Sequence, residues 1–159
     1  MCIKLEKVTK FDSKIIDFIE RHPFAYNIKT NNISNDISSD DIYRQYHIKL
    51  SGKLVGFFIL VDRWFEYGEG FELEFGVLEE EQGKGIASEC INTFYKYIPD
   101  WGNMKEDHYY LYAIVKNTNK NKGIHKLLRK CDFRTDDGII PSQINSDLPG
   151  VLYKKKLRS

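Results

Sequence analysis

Residues 71–87 have the sequence FELEFGVLEEEQGKGIA, and the fold of the chain follows from this stretch. Apolar residues alternate with glutamate or glycine from Phe71 to Val77, and this period of two predicts a strand. Beyond the loop, apolar residues recur at helical spacing until Pro99. Because Gly83 and Gly85 let the backbone curl into the helix start, several unpaired N–H groups would point at one spot. A phosphate fits such a loop.

The loop alone does not identify its ligand, because an ordinary strand-to-helix turn can carry the same glycines. Two better-known phosphate-binding sequences do not occur in the chain. It has neither G-x-x-x-x-G-K-[ST] nor G-x-G-x-x-G after a strand. The loop is therefore neither a P-loop nor a Rossmann dinucleotide loop.

Residues 72–89 resemble the acetyl-coenzyme A binding segment of the GNAT N-acetyltransferase superfamily. The family signature Q/R-x-x-G-x-G/A corresponds here to Gln82, Gly85 and Ala87. Within the superfamily, the segment is most similar to the branch that contains ribosomal-protein amino-terminal alanine acetyltransferases. The resemblance implies a mixed α+β fold, with a mainly antiparallel central sheet, one splayed parallel strand pair, and helices on both faces.

A second block, residues 121–133, resembles the later N-x-x-S/A…GF element of the same family. It follows a predicted strand from Tyr109 to Val115, as the family requires. Two positions depart from the family pattern. Ile124 stands where Ser or Ala is usual, and Asp132 stands where Gly usually precedes the Phe.

The resemblance also implies contacts to acetyl-coenzyme A, the acetyl donor. The pantetheine arm would lie between the two parallel strands and pair with the backbone of the first, as an added strand does. The implied contacts to the arm are the backbone of Val77 and Leu78 on one side and Asn121 on the other, with Asn117 and Asn119 as alternatives to Asn121. The implied contacts to the diphosphate are Gln82, Gly83, Lys84, Gly85, Ile86 and Ala87.

Acetyl transfer needs an uncharged amine, whereas a free amine near neutral pH is mostly protonated. Glu72 matches the glutamate of the resembled branch and would accept the amine proton directly or through water. A backbone N–H near Val77 or Leu78 would polarise the thioester carbonyl during direct attack by the amine. Leu128 occupies the position where many family members carry a tyrosine that protonates the leaving thiolate, so that acid is missing. A non-catalytic acyl-coenzyme A sensor or interaction domain is the alternative function.

Composition and charge exclude several classes of function. A chain of 159 residues with 42% apolar content predicts one domain, residues 1–159. The net charge of +1 gives no field that would recruit nucleic acid or an anionic membrane. The start of the chain lacks the apolar core of a signal peptide, and the three scattered cysteines suit reduced thiols, which predicts a cytoplasmic protein. The four histidines lack metal-binding spacing, so no metal is expected.

The first part of the chain predicts a strand from Ile3 to Val8 and a helix from Ser13 to Glu20. Residues 24–41 have no firm period and predict a loop. The resemblance implies that this loop lines the pocket for the acceptor, a small-molecule or peptide amine. Ser51-Gly52-Lys53 predicts a tight hairpin, and a second hairpin leads into the strand that begins at Phe71.

The end of the chain predicts a strand from Val151 to Leu157, interrupted by the basic run Lys154-Lys155-Lys156. We expect an edge strand whose lysines discourage aggregation. Such a strand could pair with its copy in a homodimer, and a monomer is the other possibility. His125 is expected at the surface, while Cys90 and Cys131 lie on the apolar stripes of predicted helices and are expected in the core.

Overall fold

The computed structural model describes residues 1–22, 43–65, 68–98, 101, 110–116, 122–135, 139–141 and 149–157. The strands are β1 Ile3–Lys7, β2 Tyr43–Leu50, β3 Lys53–Phe65, β4 Gly68–Val77, β5 Tyr110–Lys116, β6 Ile139–Pro141 and β7 Pro149–Lys156. The helices are α1 Ser13–Glu20, α2 Ile86–Thr93 and α3 Lys122–Lys130. A short 3-10 turn, Glu79–Glu81, precedes the loop that leads into α2. A second one, Phe94–Tyr97, directly follows α2.

The strands form one seven-stranded sheet in the order β1-β2-β3-β4-β5-β7-β6. The first four strands pair antiparallel in chain order, and β7 pairs antiparallel with β5 and β6. The parallel pair is β4 with β5, and its register covers only the three positions from Gly70–Tyr110 to Glu72–Tyr112. Both strands continue past this point without pairing with each other, so β4 and β5 separate. The predicted mixed fold with one splayed parallel pair is confirmed.

The two faces of the sheet carry different helices. On one face, α2 and α3 pack onto the larger core cluster, to which they contribute Ile86, Cys90, Ile91 and Leu128. On the other face, α1 packs onto alternate residues of β3 through the cluster Phe11, Ile15, Phe18, Ile19, Phe57, Ile59, Val61 and Leu78. Both faces therefore bury apolar surface, which is the dominant stabilising term in folding.

Local sequence explains several boundaries. Helix α1 has the predicted bounds, and the Asp12 side chain accepts a hydrogen bond at 2.8 Å from the Lys14 N–H at its start. Ser51 and Gly52 join β2 to β3, and both have positive φ, 51° and 84°. Two positive φ values in a two-residue turn suit the twist of an antiparallel hairpin.

Helix α2 ends earlier than the sequence predicts. The apolar spacing predicts a helix through Tyr97, but the α-helix stops at Thr93 and a 3-10 turn follows. The Thr93 hydroxyl donates to the Glu89 carbonyl at 2.7 Å, and Thr93 itself has φ of −125°. A side chain that bonds the backbone in this way competes with the regular helical ladder.

The expectation that the last strand lies at the sheet edge is wrong. Strand β7 lies between β5 and β6, and Lys154 forms an additional bridge with Arg134. The edge position belongs to β6, a three-residue strand formed by a chain segment without a clear strand period. None of the described helices has the length and apolar character that a membrane crossing requires.

Candidate active site

The loop before α2 presents free main-chain N–H groups. Gly83 and Gly85 have φ of 82° and 80°, and Gly85 immediately precedes the helix without any side chain capping it. The first hydrogen bond of the helix runs from the Glu89 N–H to the Gly85 carbonyl at 3.1 Å. Within the part of the chain that the structure describes, no N–H of residues 83–88 is bonded to another protein group. Free amides at a helix start, together with the positive end of the helix dipole, are groups that bind anions in proteins.

A cavity of about 680 Å³ opens beside this loop. This volume lies within the range of small-molecule sites. Its walls are the end of α1, the end of β4, the loop, the start of α2 and one side of α3. Six of the sequence-predicted contacts line it: Val77, Gln82, Gly83, Gly85, Ile86 and Ala87.

Residues that the sequence analysis did not single out also line the cavity. Phe18 comes from α1 and His22 from the residues directly after it, while Gly123 and Leu127 come from α3. Arg21 and His22 both contact the Glu79 carboxylate, at 2.7 Å and 3.2 Å. This cluster ties the end of α1 to the turn that precedes the loop. No local sequence signal marks these residues, because α1 and the loop meet only in the folded chain.

The main chain of β4 alternates between two directions. The Leu78 N–H donates to the Val55 carbonyl at 2.8 Å, and the register places Val77 opposite Gly56. Hydrogen-bonded positions alternate along an antiparallel pair. Phe75 and Val77 therefore direct their N–H and C=O groups away from β3, into the gap between β4 and β5. The pairing with β5 ends at Glu72, so β5 does not occupy these groups.

This geometry selects Val77 over Leu78 as a backbone contact in the gap. Leu78 uses its N–H on Val55, and its carbonyl accepts a hydrogen bond from the Glu81 N–H at 2.8 Å. Its side chain packs into the core cluster beneath α1. Leu78 therefore has no main-chain donor to offer an acyl group. Phe75, which the sequence analysis did not name, has the same orientation as Val77 and also lines the cavity.

Gln82 and Lys84 are held by protein groups. The Gln82 side-chain amide donates to the Val77 carbonyl at 2.9 Å, which links the loop to the end of β4. The Lys84 ammonium lies 2.7 Å from the Glu81 carboxylate. Both side chains hold the loop in place, while the main-chain amides of residues 83–88 remain available to a ligand. Asn121 and its alternatives, Asn117 and Asn119, lie outside the described residues.

Glu72 lies where β4 and β5 separate. It forms the last register pair with Tyr112 on one side and is opposite Val61 of β3 on the other. Its exposed fraction is only 8%. Glu72 lies on the α1 face of the sheet and does not line the cavity beside the loop. The ring of Tyr112 leans over Gly70, where a Cβ would overlap it.

Leu128 is fully buried in the core between α3 and the sheet. One turn earlier in α3, His125 lies partly buried, and its Nδ1 is 2.8 Å from the hydroxyl of the fully buried Tyr153. The expectation of a surface histidine at 125 is therefore wrong. Burial raises the pKa of Tyr153, while nearby Arg129 opposes that shift. Neither member of this pair lines the cavity, so neither is assigned a role in the reaction.

The prediction of core cysteines is confirmed for Cys90 in α2 and for Cys131, which directly follows α3. Cys90 is fully buried, Cys131 is nearly so, and burial raises the pKa of the Cys90 thiol. A thiol in this state is a poor nucleophile. Across the described ranges, no three His, Cys, Asp or Glu side chains are grouped closely enough to hold a metal ion.

Residues 13–133 match the profile of the Acetyltransferase (GNAT) family. The chain belongs to the GNAT acetyltransferase family. The match covers α1, the loop, the separating strands and α3, so the family and the enzyme class are confirmed. Acetyl-coenzyme A is the cosubstrate of this family. No curated protein sequence matches the chain.

Solved structures of the family share the fold. Spermidine N-acetyltransferase from Vibrio cholerae, in complex with coenzyme A and spermine, is 15% identical with a TM-score of 0.67, covering 97% of this chain and 95% of its own. An aminoglycoside acetyltransferase in complex with coenzyme A and kanamycin is 13% identical with a TM-score of 0.71, covering 98% and 95%. A Salmonella typhimurium acetyltransferase that modifies the N-terminal serine of a ribosomal subunit protein is 11% identical with a TM-score of 0.68, covering 98% and 95%.

Proposed function

We propose that this GNAT protein transfers the acetyl group of acetyl-coenzyme A to a primary amine of a small molecule or a peptide amino terminus. The observation that carries the proposal is the row of unbonded amides at residues 83–88, which opens into a cavity beside the separated strands. A diphosphate is the part of acetyl-coenzyme A that such amides bind best. In this assignment, Gly83, Gly85, Ile86 and Ala87 hold the diphosphate through their N–H groups.

The pantetheine arm is assigned to the gap between β4 and β5. Phe75 and Val77 direct main-chain groups into this gap, so an extended amide chain can pair with them as an added strand. The Val77 N–H is the donor that we assign to the thioester carbonyl. Lys84 remains a candidate for the diphosphate through its main chain, and Asn121 remains a candidate for the arm.

Glu72 is our candidate for the general base. It lies at the end of the paired segment, where the gap begins, and it is largely buried on the face opposite α2 and α3. A largely buried carboxylate is surrounded by less water, which strengthens its electrostatic influence on a nearby ammonium. It would take a proton from the attacking amine directly or through one water.

The proposed reaction is a direct transfer. The amine nitrogen forms a bond to the acyl carbon, and the bond between that carbon and the coenzyme A sulfur breaks. The sulfur leaves as a thiolate that takes a proton from water, because Leu128 supplies no acid at the usual tyrosine position. A cytoplasmic location fits this proposal, since the described cysteines are all free thiols.

The acceptor is proposed only as a class. The similar structures act on a polyamine, an aminoglycoside and a peptide amino terminus, which share a primary amine. A panel of spermidine, kanamycin and peptides beginning with serine or alanine covers these chemistries. Release of free coenzyme A above the slow background hydrolysis, together with an acetylated product by mass spectrometry, is the expected result. No turnover with any primary amine in such a panel, despite tight coenzyme A binding, would favour the sensor alternative.

A further inference from the structure

Glu81 has a buried carboxylate and lies next to the loop that we propose binds the diphosphate. It is the last residue of the 3-10 turn before the loop, it lines the cavity, and its side chain is 4% exposed. One oxygen, Oε1, lies 2.6 Å from the Lys53 ammonium, and the other, Oε2, lies 2.7 Å from the Lys84 ammonium. Both carboxylate oxygens therefore have a charged partner.

The two lysines come from different parts of the fold. Lys53 begins β3 directly after the Ser51-Gly52 turn, and Lys84 lies in the loop itself. Their side chains are 66% and 54% exposed, so only the carboxylate is buried. A buried charge is costly unless it is paired and hydrogen-bonded, and Glu81 meets both conditions. Hydrogen bonds from Lys53 and then Lys84 lower the pKa of Glu81 to about 2, so it is ionised at neutral pH.

Lys84 lies between the two glycines with left-handed φ, 82° and 80°. Glycine has the largest backbone freedom, so a Gly-x-Gly segment without an anchor would sample many conformations. The loop has two anchors, which are the Glu81–Lys84 ion pair and the Gln82 side chain on the Val77 carbonyl. Ordering the amides before the ligand arrives lowers the entropy cost of binding.

We propose that Glu81 is a positioning residue that orders the amides of residues 83–88 for the diphosphate of acetyl-coenzyme A. This inference rests on the proposed function, because it assumes that the loop binds that cosubstrate. Glu81 acts through Lys53 and Lys84 and does not touch the ligand. A carboxylate this close to a bound diphosphate repels it, so the benefit of Glu81 comes from the order it gives to the loop.

Positioning and simple electrostatics predict opposite effects for Glu81→Gln. The substitution removes one negative charge beside the anion site, so electrostatics alone predicts tighter binding of coenzyme A. Loss of the two ion pairs releases the loop, and positioning predicts weaker binding. Glu81→Asp keeps the charge but shortens the side chain, so it can no longer reach both lysines. Electrostatics then predicts no change, and positioning again predicts weaker binding.

The test is isothermal titration of coenzyme A into the full chain and its variants, together with steady-state kinetics on an accepted amine. We expect Kd for coenzyme A to rise about tenfold in Glu81→Gln and by less in Glu81→Asp. The KM for acetyl-coenzyme A should rise in parallel, while kcat and the KM for the amine stay close to wild type. Glu80→Gln, at the exposed neighbour in the same turn, should match wild type.

The possible results separate two conclusions. If wild type does not bind coenzyme A, the proposed function fails. If wild type binds and Glu81→Gln binds equally well or more tightly, the positioning role is wrong while the proposed function stands. In Glu81→Gln, a fall in kcat with an unchanged KM for acetyl-coenzyme A would also overturn the positioning role. If Glu81→Gln does not fold, Glu81→Asp decides, because unchanged binding in that variant contradicts positioning.

Discussion

At the residue scale, the glycines of the loop are required by backbone conformation and not by lack of space. A Cβ at Gly83 would meet nothing within 4 Å, and at Gly85 its nearest neighbour would be the end of the Met1 side chain at 3.8 Å. The positive φ values are what L-residues rarely adopt. An L-residue at Gly83 or Gly85 would therefore strain the loop that lines the cavity.

Gly85→Ala should therefore destabilise the protein by about 1 kcal/mol through backbone strain. It should also weaken coenzyme A binding, because relaxing the strain turns the amides away. Urea unfolding and titration calorimetry measure the two effects. Gly123→Ala is the control, because a Cβ there meets nothing within 4 Å and its φ is not positive. Equal stability changes at the two positions would contradict the role of the left-handed backbone.

Glu72→Gln keeps the shape of the side chain and removes its ability to accept a proton. The expected loss in kcat for an amine acceptor is about 100-fold or more, the usual contribution of a general base. Coenzyme A affinity should not change, because Glu72 does not line the cavity beside the loop. Glu74→Gln, two residues along the same strand, is the control and should keep most of the activity. Equal activity in wild type and Glu72→Gln would remove Glu72 from the mechanism.

At the element scale, α1 is held at both ends by side chains from elsewhere in the fold. Its C-terminal end contacts Glu79 through Arg21 and His22. At its N-terminal end, the Asp12 N–H donates to His47 Nε2 at 3.0 Å. Because Nε2 accepts this bond, it carries no proton, and the imidazole is neutral. Because Phe18 of α1 and His22 just after it line the cavity, the docking of α1 supports the site.

His47 gives this docking a pH dependence. Burial, and then the charge of Lys49, lowers the pKa of His47, while Glu6 and Asp12 act in the opposite direction. A histidine with a lowered folded-state pKa stabilises the fold fully above its unfolded pKa of about 6.5. That stability is lost as pH falls through the folded-state pKa. The pKa of Glu81 is lowered from 4.5 to about 2. Its contribution to the free energy of unfolding is therefore lost only as the pH falls below 4.5 towards 2.

The prediction is that wild type loses free energy of unfolding between pH 7 and pH 5 more steeply than His47→Gln. Glutamine can still accept the Asp12 N–H but does not titrate in this range. Urea unfolding at several pH values measures the difference. Parallel pH profiles for the two proteins would show that His47 does not control the docking of α1.

At the scale of the whole molecule, the site exists because two central strands pair over only three positions and then separate. The cavity adjoins this separation, with α1 at one side and α3 at the other. A ligand that fills the gap would bridge segments far apart in sequence. Binding to the folded chain alone must raise its stability.

Coenzyme A at about 100 times its Kd should raise the free energy of unfolding by about 2.7 kcal/mol. For a domain of this size, the shift in Tm is roughly 5 to 11 °C. Differential scanning fluorimetry measures it directly. Pantetheine at the same concentration lacks the diphosphate and should shift the Tm less. Equal shifts from both ligands would contradict the assignment of the loop amides to the diphosphate.

Much of the site could be predicted from local sequence because its parts are local. The alternation along β4, the two glycines of the loop and the apolar spacing of α2 each depend on residues close in the chain. The family resemblance carried by these residues predicted the separated parallel pair. The loop therefore lies where the sequence places it, at the start of a helix after a central strand.

Other features could not be predicted because they depend on register and on contacts between distant segments. The bond from Leu78 to Val55 decides that Phe75 and Val77, not Leu78, face the gap. Lys53 reaches Glu81 across 28 residues of chain. Strand β6 pairs with β7 over Pro149–Val151, and Arg134 forms a bridge with Lys154, so β7 is not the outermost strand of the sheet.

The sequence by itself determined the glycine loop, the strand before it and the helix after it, because backbone conformation and apolar periodicity are encoded over a few residues. Only the tertiary structure decided which main-chain groups remain without a hydrogen bond and which carboxylates form ion pairs. Those outcomes depend on strand pairing and side-chain packing, which bring together residues that no short stretch of sequence connects.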